Sequence, residues 1–405
     1  MNIFSLFFLA AISQHELAGK FRAYLIRQDS NTVVFNMQIV KEKNETVLYI
    51  INAAEKIKIT PVLITKDSVN FSMPVFESYF KTKRNANGSL QGIWTKGTSG
   101  DFQHWPFFAF PDQDFRFIKN QGTSIQNING RWDVTITRAN GTLRKAVAEF
   151  IQKGDQLTGT FLTPSGDYRY LDGIVTGDSL KLSTFDGAHA YTFYAKIDDV
   201  NNISNGVFYS GINGKETWVA ERNDKIKTPD QPDATQLKEG ESKLNFTFND
   251  LDGKPVSLND EKYKNKVVII QIMGSWCPNC LDETKFLSDY YNKNLKRGVE
   301  VIALAYEYST DLERSKKSVM RFRKLFNIQY PMLITGATAS DSLKTEKTLP
   351  QLTPIRSFPT TIFIDKKGNV REIHGTFYGP GTGKHFDEFK KDFYNTVDGL
   401  LREKS

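Results

Sequence analysis

The spacing of apolar and polar residues divides the chain into two parts with different periodicities. From about residue 15 to 222, short segments alternate between apolar and polar positions, as in Arg131–Thr137, Leu180–Thr184 and Ala190–Ala195. A period of two predicts β-strands with one buried face. Turn-forming pairs such as Asn140-Gly141 separate these segments. The pattern therefore predicts an all-β N-terminal region, which we call the β-region.

Three short segments of the β-region recur further along the chain, in the same order. They are Gly19–Phe21 with Gly130–Trp132, Asp67–Val69 with Asp178–Leu180, and Gly92–Trp94 with Gly206–Phe208. The offset is 111 residues for the first two pairs and 114 for the third. We therefore predict two repeated β-barrel or sandwich units, at 15–120 and 125–222.

The second repeated unit contains about eight candidate strands, the number that closes a small up-and-down barrel. Such a barrel either holds a small apolar ligand or is filled by its own side chains. We favour the filled core, in which case the β-region serves as a spacer or a docking surface.

Beyond the β-region the pattern changes twice. The charged segment 223–243 carries two prolines and almost no large apolar residue, which predicts an exposed, flexible linker. From 244 to 405, apolar runs such as Val267–Met273 and Val299–Ala305 alternate with amphipathic segments such as Leu312–Phe326. Continuous apolar runs are typical of strands buried on both faces. This part therefore predicts an α/β domain with a mixed sheet flanked by helices.

Composition narrows the classes of function. The 405 residues are 39% hydrophobic and 24% charged, as expected for a globular protein of more than one domain. The net charge of +7 is spread along the chain, without zinc-finger spacing or an RNA-binding aromatic motif, so we expect no nucleic-acid partner. The two cysteines stand three positions apart. Disulfides therefore do not hold the fold together, and both cysteines are available for chemistry.

The first 14 residues have the pattern of an export signal. The apolar run Ile3–Ile12 is too short to cross a bilayer of about 30 Å but matches a signal-peptide core, and Ala11–Ser13 offers small residues for cleavage. We therefore predict a bacterial-type signal peptide at 1–14 and a periplasmic or otherwise exported protein of the cell envelope, without membrane association beyond export. A buried N-terminal strand is the alternative.

The motif W-C-P-N-C at 276–280 lies between a predicted buried strand and a predicted helix. A helix N-terminus presents unpaired N–H groups and a partial positive charge, which stabilise a thiolate. We therefore predict that Cys277 is the nucleophile and that Cys280, one turn further on, resolves the mixed disulfide. Pro278 suits the first helical turn and forms the active-site loop with Asn279. Trp276 is expected to pack beside the pair.

Other readings of the two cysteines are a metal site, a structural disulfide and two buried thiols. A zinc site needs further Cys or His ligands, and none of the five histidines has the required spacing. A disulfide across two intervening residues closes too small a loop to stabilise much. We therefore favour redox chemistry and predict neither a metal nor a cofactor.

Motifs around this site resemble the TlpA/ResA-like branch of the thioredoxin superfamily, which is related to the AhpC/TSA proteins. The matching residues are Phe246–Val256, Lys266–Cys280, Glu283 and Phe358–Gly368, within about 244–400. The resemblance implies a thioredoxin fold, in which the Phe358–Pro359 bond is cis, Pro359 faces the cysteines and the Phe358 backbone pairs with substrate. Ordinary entry of a proline into a strand is the alternative.

The resemblance also implies that Glu283 manages the proton on the resolving thiol. A carboxyl group in an apolar site has a raised pKa and exchanges protons near neutral pH. The alternative is a first-turn glutamate that favours the helix dipole. The predicted catalytic residues are therefore Cys277, Cys280 and Glu283, and Trp276 joins the cis-proline loop in binding substrate.

The sequence departs from this family's usual pattern at three places. Ile272-Met273 replaces an aromatic pair, Lys285 replaces a proline, and Thr335–Arg356 resembles an insertion. These differences bear on substrate preference and leave the reaction unaffected.

The function predicted first is a thiol–disulfide oxidoreductase of the cell envelope, most simply a disulfide reductase. Its partners would be disulfide-bearing proteins and a redox protein that resets the cysteine pair. The alternatives are a peroxide reductase of the AhpC/TSA type and a binding protein in which the β-region is the functional part. A copper chaperone of the SCO kind would need three residues between the cysteines instead of two.

Overall fold

The computed structural model describes residues 17–119 and 126–404. The predicted signal peptide at 1–14 lies outside the described residues. The first sheet contains nine strands, namely β1 Gly19–Ile26, β2 Thr32–Glu42, β3 Glu45–Asn52, β4 Glu55–Ile59, β5 Val62–Ile64, β6 Ser68–Ser72, β7 Ser78–Arg84, β8 Leu90–Lys96 and β9 Gln103–Pro111. Their order is β4-β3-β2-β1-β9-β8-β7-β6-β5, so that β1 and β9 pair in the middle of a barrel-like sheet.

The second sheet also contains nine strands. They are β10 Gly130–Thr137, β11 Leu143–Lys153, β12 Gln156–Thr163, β13 Gly166–Asp167, β14 Leu171–Thr176, β15 Ser179–Phe185, β16 Ala190–Ile197, β17 Asn202–Ser210 and β18 Gly214–Arg222. Strand β11 pairs with both β10 and β12, which closes eight of the strands into a barrel. The short β13 only extends the end of β12. The count of eight predicted from the sequence is therefore confirmed.

The three recurring sequence segments fall on equivalent strands of the two sheets. The members of each pair lie on β1 and β10, on β6 and β15, and on β8 and β17, always nine strands apart. Gly19 and Gly130, which open the first strand of each sheet, have φ angles of 124° and 127°. Glycine is favoured there because other residues rarely adopt such angles. The agreement between strand order and sequence offset supports the predicted duplication.

Aromatic side chains fill the interiors of both barrel-like sheets. In the second barrel Trp132, Phe161, Phe193 and Trp218 are almost fully buried, and the Phe161 and Phe193 rings stack at 4.6 Å. This agrees with the filled core favoured from the sequence. Phe185 of the second sheet packs into the core of the first and stacks on Phe35 at 4.5 Å. The two sheets therefore share apolar contacts.

The C-terminal domain follows with a seven-stranded mixed sheet. Its strands are β19 Thr247–Asp250, β20 Pro255–Ser257, β21 Val267–Met273, β22 Val299–Ala305, β23 Met332–Ile334, β24 Thr360–Ile364 and β25 Val370–His374, in the order β20-β19-β23-β22-β21-β24-β25. Its helices are α1 Pro278–Asn294, α2 Leu312–Leu325, α3 Lys344–Thr348 and α4 Lys384–Arg402, and single 3₁₀ turns lie at Glu261–Tyr263 and Pro380–Thr382. Together these elements form a thioredoxin-like α/β domain.

Local sequence explains where the central elements begin. Every residue of β21 is buried, as expected for a strand covered on both faces. Helix α1 starts with Pro278, and helix α2 is capped by Asp311, which accepts a hydrogen bond from the Arg314 N–H at 2.9 Å. Helices α1, α2 and α4 pack on one face of the sheet.

The prediction of a flexible linker at 223–243 was wrong for its second half. Leu237 pairs with Leu352 as an isolated β-bridge, and the Lys238 N–H donates to the Gln351 carbonyl at 2.9 Å. Both partners lie in the segment 335–356, identified above as an insertion. Leu237 of the linker thus packs on that segment, a contact that composition alone does not reveal.

Candidate active site

Cys277 occupies the junction between β21 and α1. It is the N-cap residue of the helix, and its Sγ accepts a hydrogen bond from the Cys280 N–H at 3.2 Å. Both cysteines are free thiols. Cys277 is 6% exposed and Cys280 is fully buried. Burial raises the pKa of the Cys280 thiol well above its usual value, and the adjacent Cys277 raises it further. The two sulfurs therefore differ sharply in environment.

The loop before β24 faces Cys277. The Phe358–Pro359 peptide bond is cis, as the resemblance implies, and the Phe358 carbonyl oxygen lies 3.4 Å from the Cys277 Sγ. The Trp276 indole N–H donates to the Tyr306 carbonyl at 2.9 Å, and its ring lies edge-on to Phe358 at 5.4 Å. The predicted substrate-binding residues thus surround the outer sulfur.

Glu283 lies in the interior beneath the cysteine pair. It is 2% exposed and accepts hydrogen bonds from the Thr361 hydroxyl at 2.7 Å and the Gln271 amide at 2.8 Å. Burial raises its pKa from 4.5 to about 7, although both hydrogen bonds oppose the rise. Its charge contributes to the raised pKa of the Cys280 thiol. A carboxyl group that titrates near neutral pH therefore interacts electrostatically with the inner sulfur.

Protonation of Glu283 should appear as a pH-dependent stability. Its carboxyl group loses its proton near pH 4.5 when unfolded but near pH 7 when folded, so its contribution is complete below about pH 4.5 and falls as the pH rises to 7. At about 1.4 kcal/mol per pH unit, the free energy of unfolding should drop by about 3 kcal/mol. Amide hydrogen exchange of β21 at pH 4.5 and pH 7.5 measures the total drop, and Glu283→Gln should remove the part that Glu283 contributes.

A second buried acid contributes its own part to this pH dependence. Glu307 follows β22 and accepts hydrogen bonds from the Ser275 N–H at 2.8 Å and the Ser275 hydroxyl at 2.5 Å. Burial raises its pKa to about 7 as well. Each single Glu→Gln variant should therefore remove part of the pH dependence, and the double variant should remove both parts. An unchanged slope in Glu283→Gln would contradict the prediction.

The β-region reaches the active site through one hairpin of the second barrel, residues 163–168, which we call the barrel hairpin. Its Asp167 carbonyl accepts a hydrogen bond from the Asn279 side-chain amide at 3.2 Å. A Cβ atom at Gly166 would lie 2.4 Å from that amide. Gly166 also forms a parallel β-bridge with Phe377, and the Tyr378 hydroxyl donates to the Thr163 carbonyl at 3.0 Å. The hairpin therefore lies directly against the C-P-N-C turn.

Arg169, just after the barrel hairpin, connects all three parts of the fold. Its guanidinium contacts both oxygens of Asp282 at 2.8 and 3.0 Å, Glu55 of β4 at 2.7 Å and Asp186 of the second sheet at 3.2 Å. Arg169 is 4% exposed. Asp282 lies in the first turns of α1, two residues after Cys280. A buried ion cluster thus joins the β-region to the active-site helix.

Comparisons with known proteins agree with this geometry. The Redoxin family model matches residues 238–383. Thiol-disulfide oxidoreductase ResA of Bacillus thuringiensis subsp. konkukian (strain 97-27) is 31% identical over 141 residues, which cover 35% of this chain and 72% of the relative. The chain belongs to the ResA/TlpA-like family of the thioredoxin superfamily. It is a thiol–disulfide oxidoreductase.

Other matches of this ResA-like chain are more distant. ResA of Bacillus subtilis (strain 168) is 26% identical over 137 residues, covering 34% of this chain and 67% of the relative. Among solved structures, the thiol:disulfide interchange protein of Chlorobium tepidum TLS is 22% identical, with a TM-score of 0.30, and the match covers 41% of this chain and 99% of that one. The Redoxin match lies entirely C-terminal to the two β-sheets.

Residues 17–119 and 126–404 hold no group of three or more His, Cys, Asp or Glu side chains arranged for a metal ion. In the same part of the chain, none of the helices is long and apolar enough to cross a membrane.

The sequence reasoning missed the residues that the β-region and the loop after β22 bring to the site. Asp282 lies more than a hundred positions after Asp167 and Arg169 in the sequence, and Glu307 lies 32 positions after Ser275. Tyr378 likewise was not among the predicted site residues, yet its hydroxyl group holds the barrel hairpin. One signal was available in the sequence, namely Asp282, an acidic residue next to Glu283 in an amphipathic helix. It does not stand out, because exposed helix surfaces routinely carry acidic residues.

Proposed function

We propose that Cys277 and Cys280 exchange disulfides with exported protein substrates in the cell envelope, with Cys277 as the attacking thiol. The observation that carries the proposal is the position of the Cys277 Sγ. It caps α1, accepts the Cys280 N–H at 3.2 Å and lies 3.4 Å from the carbonyl that precedes Pro359. Helix N-termini favour thiolates. Cys280, which is fully buried, is suited to resolve the intermediate.

The reaction proceeds in two displacements. The Cys277 thiolate attacks one sulfur of the substrate disulfide, forms a mixed disulfide and releases the other substrate sulfur as a thiolate. Cys280 then loses its proton and attacks the Cys277 sulfur, which releases the second substrate thiol and leaves a Cys277–Cys280 disulfide. The substrate gains two electrons. A dithiol redox partner restores the enzyme by the reverse exchange.

Glu283 is proposed to take the proton of Cys280 in the second displacement. Its pKa near 7 allows both protonation states at neutral pH. A neutral Glu283 also lowers the electrostatic cost of ionising the inner thiol, since its charge raises the pKa of Cys280. The support for this role is its burial beside the pair and its fixed hydrogen bonds to Thr361 and Gln271.

Trapping tests the proposal directly. Cys280→Ser removes the resolving thiol, and because the chain has only two cysteines, every mixed disulfide of this variant must involve Cys277. We expect the full-length variant, expressed in a bacterial envelope, to hold substrate proteins that dithiothreitol releases. The Cys277→Ser, Cys280→Ser double variant is the control and should hold none. Capture of no disulfide-bearing protein, or equal recovery with the double variant, would contradict the proposal.

A further inference from the structure

The outer sulfur opens into a cleft of about 360 Å³ that only partly belongs to the C-terminal domain. One wall consists of Trp276, Asn279 and Phe358 beside Cys277. The opposite wall comes from the β-region and includes Ser165 and Tyr168 of the barrel hairpin together with His189 and Tyr191. A substrate that reaches Cys277 through this cleft therefore passes between one wall from the β-region and one wall from the C-terminal domain.

The barrel wall is held in place at several points. The Asp167 carboxylate accepts a hydrogen bond from the Gly379 N–H at 2.7 Å, and the Pro164 carbonyl accepts one from the Thr376 hydroxyl at 2.5 Å. The ion pair of Arg169 with Asp282 adds two charge-assisted hydrogen bonds at the base of the hairpin. These contacts therefore fix the distance between the two walls of the cleft.

The size of the cleft limits what can enter. Pockets of about 300–1,000 Å³ suit small ligands, and 360 Å³ lies within that range. A stable contact between folded proteins buries about 800 Å² on each partner, usually over a much flatter surface. The side chain that must be reached is 6% exposed. A narrow, flexible chain satisfies these conditions, and the surface of a folded domain does not.

The lining also has the chemistry that an extended peptide requires. The Asn279 side-chain oxygen is buried and has no hydrogen-bond partner among the described residues, so it can accept a bond from a peptide N–H. Aromatic rings flank the cleft, with His189 stacked on Tyr191 at 4.4 Å and Trp276 stacked on Tyr308 at 5.2 Å. Such surfaces bind apolar and aromatic side chains.

We propose that the β-region makes this enzyme selective for disulfides carried on extended, flexible peptide segments, and that the barrel hairpin is the selecting element. This inference rests on the proposed function of Cys277. Residues next to the substrate cysteine would lie between the barrel hairpin and the cis-proline loop, with apolar side chains favoured. Disulfides on the surface of a folded domain would be poor substrates, because the domain cannot follow its cysteine into the cleft.

Matched probes test the selectivity. The same chromogenic thiol, 2-nitro-5-thiobenzoate, is attached by a disulfide to free cysteine, to the cysteine of an unstructured ten-residue peptide, and to a surface cysteine of a folded domain. Attack by Cys277 on the carrier's sulfur releases one coloured thiolate in each case. We expect kcat/KM for the peptide to exceed that for the folded domain at least tenfold.

A larger residue at the rim tests the hairpin. Ser165 is exposed and lines the cleft, so Ser165→Trp adds bulk there without removing a core contact. We expect kcat/KM for the peptide to fall at least tenfold and that for the cysteine adduct to change less than threefold. Ser179→Trp, at the β14–β15 turn at the other end of the same barrel, should leave both unchanged. Ser165→Arg provides a second variant if the tryptophan impairs folding.

The outcomes separate the two proposals. Equal rates with peptide and folded domain, or an equal loss for all probes in Ser165→Trp, would overturn the selectivity while Cys277 chemistry stands. If Cys277→Ser reacts with every probe as fast as the unmodified protein, the proposed function itself fails.

Discussion

Replacing Cys277 with serine is expected to lower kcat/KM for disulfide reduction at least 1,000-fold, equivalent to about 4 kcal/mol of transition-state stabilisation. A serine hydroxyl is not ionised at neutral pH, and the thiolate is the nucleophile in this exchange. The backbone should be little changed, because a hydroxyl oxygen can also accept the Cys280 N–H as an N-cap. Release of 2-nitro-5-thiobenzoate from the peptide adduct measures the rate.

Cys280→Ser is the matched comparison for that experiment. It keeps the attacking thiol, so it should release one equivalent of coloured thiolate at nearly the unmodified rate and then stop. The carrier should stay bound to Cys277 as a mixed disulfide, whereas the unmodified protein releases it when Cys280 closes the Cys277–Cys280 disulfide. If Cys277→Ser kept its rate while Cys280→Ser lost the first release, the two roles would be reversed. That result would conflict with the complete burial of Cys280.

Replacing Arg169 with methionine should lower the free energy of unfolding by about 3–5 kcal/mol, the usual cost of leaving buried charges without their partner. Three carboxylates, those of Asp282, Glu55 and Asp186, lie within 3.2 Å of its guanidinium nitrogens. Removing the guanidinium leaves them facing each other in a buried site. Denaturant unfolding, followed separately in the β-region and the C-terminal domain by hydrogen exchange, measures the loss.

Two further variants show whether the effect comes from the buried cluster. Arg169→Lys should recover only part of the stability, since an ammonium group cannot make the paired bonds to Asp282. Arg297→Met removes an ion pair with Asp398 whose side chains are 41% and 45% exposed, and should cost less than about 1 kcal/mol. Equal losses in Arg169→Met and Arg297→Met would contradict the role assigned to the cluster.

The ion cluster and the barrel hairpin give the β-region a role that a passive spacer would not have. Asp167 and Arg169 bind the turn and the helix that carry the cysteine pair. A variant that weakens these bonds should therefore alter both stability and substrate choice. The filled aromatic core explains how the barrel can serve as a rigid wall, because close-packed interiors transmit displacement instead of absorbing it.

Many elements of the C-terminal domain follow from local sequence. Strands Val267–Met273 and Val299–Ala305 have the predicted bounds. Continuous apolar runs and turn residues encode them locally, and these signals need no knowledge of distant residues. In the β-region, period-two alternation likewise predicted the strands and the eight that close the second barrel.

The position of the cysteine motif was also predictable, because an N-cap and a first-turn proline act within one helical turn. The contact of residues 235–238 with the segment 335–356 was not predictable from the sequence. A charged segment with two prolines has the composition of a free linker, and only its neighbours in space determine whether its few apolar residues find a partner.

The sequence by itself determined the candidate residues for the chemistry proposed here: two cysteines at the start of a helix, a glutamate one turn on and a proline loop predicted to face them. Only the tertiary structure decided what can approach that pair. The barrel hairpin and Arg169 reach the site from 113 positions away along the chain. Such contacts arise from the packing of whole domains, and no local periodicity encodes them.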